Sequence, residues 1–190
     1  MEVPELYREV NELLTTHLLP EIKYRGKSKG RRNTFGWTNW MMKYVKPPHR
    51  TSNNWKYGML FLALKRLGDA IVPFAYDSIT VNQNNVCIPH KDKGNLGASL
   101  IVSGGDYEQG SFVIEGEQIE TKYTPVVFDG HRLHWNEPFT GMRWSIVFFK
   151  LEILPKWLHL FPGDVNDPNR PWSLMDSEWE HTLHNTEQTS

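Results

Sequence analysis

The spacing of apolar residues changes once along the 190-residue chain, from helical to strand-like. Leu6, Val10, Leu13, Leu14 and His17 recur at helical intervals, with Pro4 in the first turn and Glu5 at the positive end. They predict an amphipathic helix over Pro4–Leu19, ended by Pro20 and packed on the outside of the domain. A second helix is predicted over Trp55–Leu67, where Leu60, Leu62, Ala63, Leu64 and Leu67 make a buried stripe and Gly68 a stop. This helix is expected to brace the back of a sheet. From Ile79 onwards the period falls to two. Strands are expected near Ile79–Asn82, Val86–Pro89, Ser99–Ser103, Ser111–Glu115, Gln118–Lys122, Pro125–Phe128, Leu133–Asn136 and Arg143–Lys150. Turns are expected at Gly104-Gly105-Asp106, Gln109-Gly110, Glu115-Gly116 and Asp129-Gly130. Short strands at this spacing predict a mainly β, α+β domain: a double-stranded β-helix, or jelly roll, with two sheets folded over a pocket and helices flanking them.

The length suits one domain. Residues 1–72 would form a helical and basic support, 73–150 the jelly-roll core, and 151–190 a polar, Pro-punctuated wrap with a short helix near Ser173–His184. The single Cys87 excludes an internal disulfide framework and suits a reducing compartment. The charged, amphipathic start lacks the apolar core of a secretory signal, and no apolar run reaches membrane-spanning length. An intracellular protein, in cytoplasm or nucleus and acting as a monomer away from membranes, is expected.

Net charge is −1, but its distribution is lopsided. From Ile22 to Gly68 there are twelve Lys and Arg and no acid, whereas beyond Phe161 six acids face only Arg170. An acid-free run of this length points to an anionic partner. Lys23 to Arg32, interspersed with Gly26 and Gly30, reads as a flexible loop outside the core. Phe35, Trp37, Trp40 and Tyr44 follow, interleaved with further cations. Basic residues neutralise phosphates while aromatic rings stack on bases, so Arg31, Arg32, Trp37 and Trp40 are candidate nucleic-acid contacts. Buried aromatics beside solvated charges are the plainer alternative.

The chemistry sits between Asn85 and Ser145. His90-Lys91-Asp92 and a distant His are the side chains that bind one face of non-haem Fe(II) and leave the other open. Val86, Ile88, His90 and Asp92 share one parity and are expected to point into the barrel, with Lys91 turned away. His131 and His134 compete as the third ligand. His134 is preferred, because His134-Trp-Asn-Glu-Pro138 leads through Gly141 into a strand that begins at Arg143, which predicts hairpin neighbours. On that strand Arg143, Ser145 and Val147 face one way, and Trp144, Ile146 and Phe148 the other. An inward Arg beside iron needs an anion, its planar fork suits a carboxylate, and Ser145 can add a hydrogen bond. Iron at His90, Asp92 and His134, with 2-oxoglutarate held by Arg143 and Ser145, is the equipment of an O2-using dioxygenase.

The run His90-Lys-Asp-Lys-Gly-Asn95, followed by Leu100-Ile101-Val102, resembles the His-x-Asp-x-x-Asn segment of the TET/JBP group. His134 with Arg143-x-Ser145-x-Val-Phe-Phe resembles the end of that group's barrel core, a half shared with prolyl hydroxylases. These are Fe(II)/2-oxoglutarate dioxygenases that oxidise the 5-methyl group of cytosine or thymine in nucleic acid. The resemblance spans about a third of the chain and implies the same ligands and co-substrate. It further implies that Asn95 contacts the methylated base, as the Asn at that offset does in TET enzymes. The Cys-rich, zinc-bearing DNA grip of animal TET proteins is missing, which suggests a minimal viral or microbial type whose basic segment takes over that role. A base in duplex DNA has to be flipped out to reach the iron, so a stacking aromatic is expected at the mouth, from Trp37, Trp40 or Trp135; Trp144 reads as core. A dioxygenase acting on a protein side chain or small molecule is the second reading. A non-catalytic nucleic-acid-binding jelly roll is the third, and it would strand Arg143 without an anion.

Overall fold

The structure, a computed structural model, describes residues 2–21, 23–24, 27–28, 30–38 and 49–152. A 3-10 turn at Glu5–Tyr7 leads into helix α1 (Arg8–Thr16). Strands β1 (Lys23–Tyr24), β2 (Lys27–Ser28), β3 (Arg31–Thr38) and β4 (His49–Arg50) follow, then α2 (Asn53–Lys56) and α3 (Gly58–Ile71). The remaining strands are β5 (Ser78–Gln83), β6 (Asn95–Gln109), β7 (Phe112–Ile114), β8 (Glu117–Ile119), β9 (Val126–Phe128), β10 (His134–Asn136) and β11 (Phe139–Leu151). A six-stranded antiparallel sheet, ordered β4-β3-β5-β11-β6-β9, faces a three-stranded one, β10-β7-β8, while β1 and β2 pair separately. This is the expected double-stranded β-helix.

The period-two pattern divides the large sheet cleanly. Ile79, Val81, Leu100, Val102, Trp144, Ile146 and Phe148 leave one face and pack, with Phe35, against Val10, Leu14, Phe61, Leu64 and Leu67 of α1 and α3. The alternate positions Thr80, Asn82, Ile101, Arg143, Ser145 and Val147 line a pocket. Strand β11 is the spine of the sheet, paired with β5 on one side and β6 on the other. A smaller cluster of Ile101, Phe112, Ile114 and Phe128 joins the two sheets beside the pocket.

Four sequence expectations change. The first helix ends at Thr16, ahead of Pro20, because the buried Gln83 takes over its last carbonyls: Nε2 donates to Leu14 O at 2.8 Å and to His17 O at 2.9 Å, while Oε1 accepts Leu19 N–H at 2.7 Å. The helix expected over Trp55–Leu67 is broken at Tyr57 into α2 and α3, and Gly68 does not stop α3, which runs on to Ile71. A side chain there would lie 2.4 Å from the Tyr76 hydroxyl and 2.7 Å from the Phe148 ring, so Gly68 is a packing site. Gly104-Gly105-Asp106 is not a turn either. β6 runs straight through it, Gly104 making room for the Trp144 indole and Gly105, at φ 104°, fitting the twist against β11. Finally, Arg31 and Arg32 lie on strand β3 and pair with Gln83 and Asn82 of β5, not in a loop. Main-chain bonding is indifferent to side-chain charge, and Phe35, wholly buried, anchors the strand. The expected tail helix at Ser173–His184 lies outside the described residues.

Candidate metal centre

The segment Val86–Pro89 is irregular chain, not a strand, and the parity argument for it fails. Val86 is 46% exposed and Ile88 76% exposed, while His90 and Asp92 still turn inward. What aims them is main-chain bonding to the opposite sheet. His90 and His134 exchange both N–H···O bonds at 3.0 Å, and Asp92 N–H donates to Gly130 O at 2.8 Å. Cys87 N–H donates to the Asn136 side-chain oxygen at 2.8 Å, which clamps the approach to the ledge. His90 and Asp92 are therefore held against β10, although neither belongs to a named strand.

Donor atoms of His90, Asp92 and His134 all lie within 4.8 Å of one another. The Asp92 carboxylate bridges the two rings, with Oδ1 3.7 Å from His90 Nε2 and Oδ2 3.6 Å from His134 Nε2. Each imidazole has its Nδ1 against a main-chain carbonyl two residues earlier: His90 on Ile88 O at 2.7 Å and His134 on Arg132 O at 2.8 Å. A carbonyl can only accept, so both Nδ1 atoms carry the proton and both Nε2 lone pairs are aimed into the cluster. Phe112 and Phe128 pack on the His134 ring at 5.8 and 5.1 Å. His131 is outside the group, exposed and paired with Asp129 at 3.1 Å.

Electrostatics favour a cation here. Burial alone would raise the Asp92 carboxyl, but the His134 ring and the charges of His134, His90 and Arg32 outweigh it and hold the group below its ordinary range. Burial opposes charge on His134 as well, yet Asp92 and the Arg132 carbonyl push it upwards overall. An ionised carboxylate beside two directed imidazoles suits a divalent metal, and the two-His-one-carboxylate set suits ferrous iron with open positions. Asn95 is only 6% exposed, and its amide donates to Ser99 Oγ at 3.0 Å and to Asp92 Oδ2 at 3.5 Å. It supports the carboxylate ligand from behind while lining the pocket.

Arg143 and Ser145 line the same pocket, which opens to solvent. They reach it from the facing sheet, because β10 pairs with β7 and not with β11; the expected hairpin between His134 and Arg143 does not form. The Arg143 guanidinium lies between the Tyr107 and Phe139 rings, at 5.3 and 5.6 Å. Burial lowers its pKa, with the Tyr107 phenol working in the other direction, and an arginine so placed stays charged. Arg143 is 2% exposed, and its Nε and Nη2 have no hydrogen-bond partner among the described residues. A buried cation with idle donors beside a cavity is costly unless an anion reaches it, and the fork fits a carboxylate.

Other expected contacts separate. Arg32 is exposed and lines the pocket, whereas Arg31 donates to Leu19 O at 2.6 Å and faces Glu21 at 3.7 Å. Trp37 lies five residues along β3 from Arg32, roughly 17 Å away, and its ring is covered by Arg50 at 5.8 Å. Trp135 lines the pocket with its indole N–H on Glu137 at 2.9 Å, Trp144 is core as expected, and Trp40 lies outside the described residues. Sequence reading passed over Asn82, Cys87, Asn136 and Phe128, which also line the pocket; for Asn82 and Phe128 strand parity was the available signal.

The fold and the donor set together give a double-stranded β-helix in which a three-residue donor group able to hold a single metal ion and a buried arginine line one pocket. No protein-family model matches the chain, and no curated protein does. Among solved structures it resembles NgTET1 in complex with 5mC DNA, with a TM-score of 0.53 and 15% identity over 83% of this chain and 76% of that one. A 2OG-Fe(II) oxygenase family oxidoreductase from Burkholderia pseudomallei aligns at a TM-score of 0.46 and 16% identity, over 76% of this chain and 77% of that one. At such identities the first likeness establishes the fold, and the second adds nothing to it.

Proposed function

We propose that this chain is an Fe(II)/2-oxoglutarate-dependent dioxygenase that hydroxylates the 5-methyl group of 5-methylcytosine, or of thymine, in DNA. The observation that carries the dioxygenase reading is the buried Arg143 guanidinium, with its unpartnered Nε and Nη2, on a residue that lines the same pocket as His90, Asp92 and His134. Those three residues would hold ferrous iron, and Arg143 with Ser145 the far carboxylate of 2-oxoglutarate. Together iron and co-substrate supply oxidation of an unactivated C–H bond by O2, with succinate and CO2 as co-products. The chain contributes position and dryness. The two Nδ1–H bonds fix both imidazoles, Asn95 fixes Asp92, and Phe112, Phe128 and Val147 keep water from the reacting centre.

DNA as substrate draws support from three directions. Arg32 is exposed at the pocket, Trp135 offers a face for stacking at the same pocket, and NgTET1, whose fold this chain shares, was crystallised with 5mC DNA. The reading is tested by incubating methylated duplex and single-stranded DNA with the protein, ferrous iron and 2-oxoglutarate, then weighing the released nucleosides. 5-Hydroxymethylcytosine appearing only when all components are present is the expected result. Succinate formation without any modified base would keep the dioxygenase and shift the substrate to a protein side chain or small molecule.

A further inference from the structure

Beside the metal cluster an apolar knuckle stands in water. Val86 is 46% and Ile88 76% exposed, and Pro89 is exposed as well. Single exposed apolar side chains are ordinary on protein surfaces. This group is distinguished by its rigidity. On one side Cys87 exchanges bonds with Asn136, its N–H on the side-chain oxygen at 2.8 Å and its carbonyl accepting Asn136 N–H at 3.3 Å. On the other, His90 is doubly bonded to His134, and Asp92 is tied to Gly130. The Ile88 carbonyl itself accepts the His90 Nδ1 proton at 2.7 Å. The most exposed large apolar side chain of the described residues therefore rides on a pinned ledge two residues from a metal ligand, roughly 7 Å along the chain.

Charge around the knuckle says what it meets. Lys91 and Lys93 are exposed just beyond it, and Arg32 is exposed at the same pocket. From Asn84 to Lys93 the only acid is Asp92, which is turned into the cluster. Apolar tip, flanking cations and adjacent pocket are the components of a surface that pries open stacked bases while gripping phosphates.

We propose that Ile88 is a wedge that enters the base stack of duplex DNA as the target base turns into the pocket, with Lys91, Lys93 and Arg32 on the flanking phosphates. The proposal rests on the DNA reading above and adds a step to it. Opening a stack is unfavourable, and an apolar side chain that fills the gap offsets part of that cost. Single-stranded DNA has no such gap, so the wedge matters for duplex alone.

The test compares oxidation of one 5-methylcytosine in duplex and in the same strand alone, using the full chain with ferrous iron and 2-oxoglutarate. A 2-aminopurine next to the methylated base reports unstacking on binding. Ile88→Ala should cut the duplex-to-single-strand rate ratio by about tenfold or more and abolish the fluorescence rise. Ile88→Met, still long and apolar, should restore both, and Met59→Ala, an exposed apolar truncation on α3, should change neither. An unchanged ratio in Ile88→Ala would overturn the wedge and leave the dioxygenase standing. Activity of the wild type on single strands alone would overturn it too. Inactivity on both DNA forms would instead remove the methylpyrimidine reading and the wedge together. If sedimentation shows a dimer that Ile88→Ala dissociates, with the rate ratio unmoved, the knuckle is a self-association surface and the wedge is wrong.

Discussion

Arg143 carries the clearest energetic signature of any single residue. A guanidinium that is 2% exposed with two idle donor atoms is tolerable only if an anion arrives. Arg143→Met keeps much of the volume and removes the fork; the apparent KM for 2-oxoglutarate should rise by roughly tenfold or more, since a charged, bidentate hydrogen bond is worth about 1.5–3 kcal/mol. An unchanged KM in a co-substrate titration would assign the arginine another anion. Asp92→Ala should abolish ferrous binding, followed by absorption with Co(II) as a stand-in, and stop succinate formation, while the metal-free protein keeps its unfolding midpoint. Asn95 separates two roles. The resemblance implied contact with the base, but its amide already holds Asp92 and Ser99. Asn95→Ala should therefore weaken metal binding by about 10–100-fold, the usual effect of losing a ligand's support. A loss confined to DNA affinity would return Asn95 to the base.

At the scale of elements, β11 shows how much the sequence makes legible. Its strict alternation allowed both faces to be read in advance: Trp144, Ile146 and Phe148 towards the helices, and Arg143, Ser145 and Val147 towards the pocket. The same rule failed for Val86–Pro89, because parity holds only within a paired strand, and what orients His90 there is bonding to β10, forty-four positions later. Gln83 at the end of α1 and the pairing of β10 with β7 were hidden for the same reason: both are long-range, and neither leaves a local pattern. Gly104-Gly105 misled because a turn and a close approach make the same demand for a missing side chain, and only the Trp144 indole distinguishes them. That indole also ties β11 to α1 through its N–H on Asn11 Oδ1 at 3.0 Å. Trp144→Ala, emptying a fully buried site, should cost about 3–5 kcal/mol in urea unfolding. Asn11→Ala should cost about 1 kcal/mol.

Across the whole molecule, the acid-free run from Ile22 to Gly68 shows how lopsided the charge is but could not say which cations face the pocket. The structure separates two neighbours that the sequence treated alike. Arg31 spends its guanidinium on the Leu19 carbonyl and Glu21, holding the chain after α1 to the edge of the large sheet. Arg32, one residue on and facing the other way, is exposed beside the metal cluster, where its charge helps to keep Asp92 ionised. Binding that neutralises phosphates releases counterions, so the slope of log affinity against log salt counts the cations engaged. Arg32→Ala should flatten that slope for duplex DNA by roughly 0.9, the contribution of one phosphate contact, and weaken binding about equally for all sequences. Arg31→Ala should leave the slope alone and appear as lost thermal stability, because what it removes is an intramolecular bond. Fluorescence anisotropy across a salt series, run on both variants, separates the two. If Arg31→Ala flattens the slope and Arg32→Ala does not, the DNA lies along the outer edge of β3 and not across the mouth that opens to the metal.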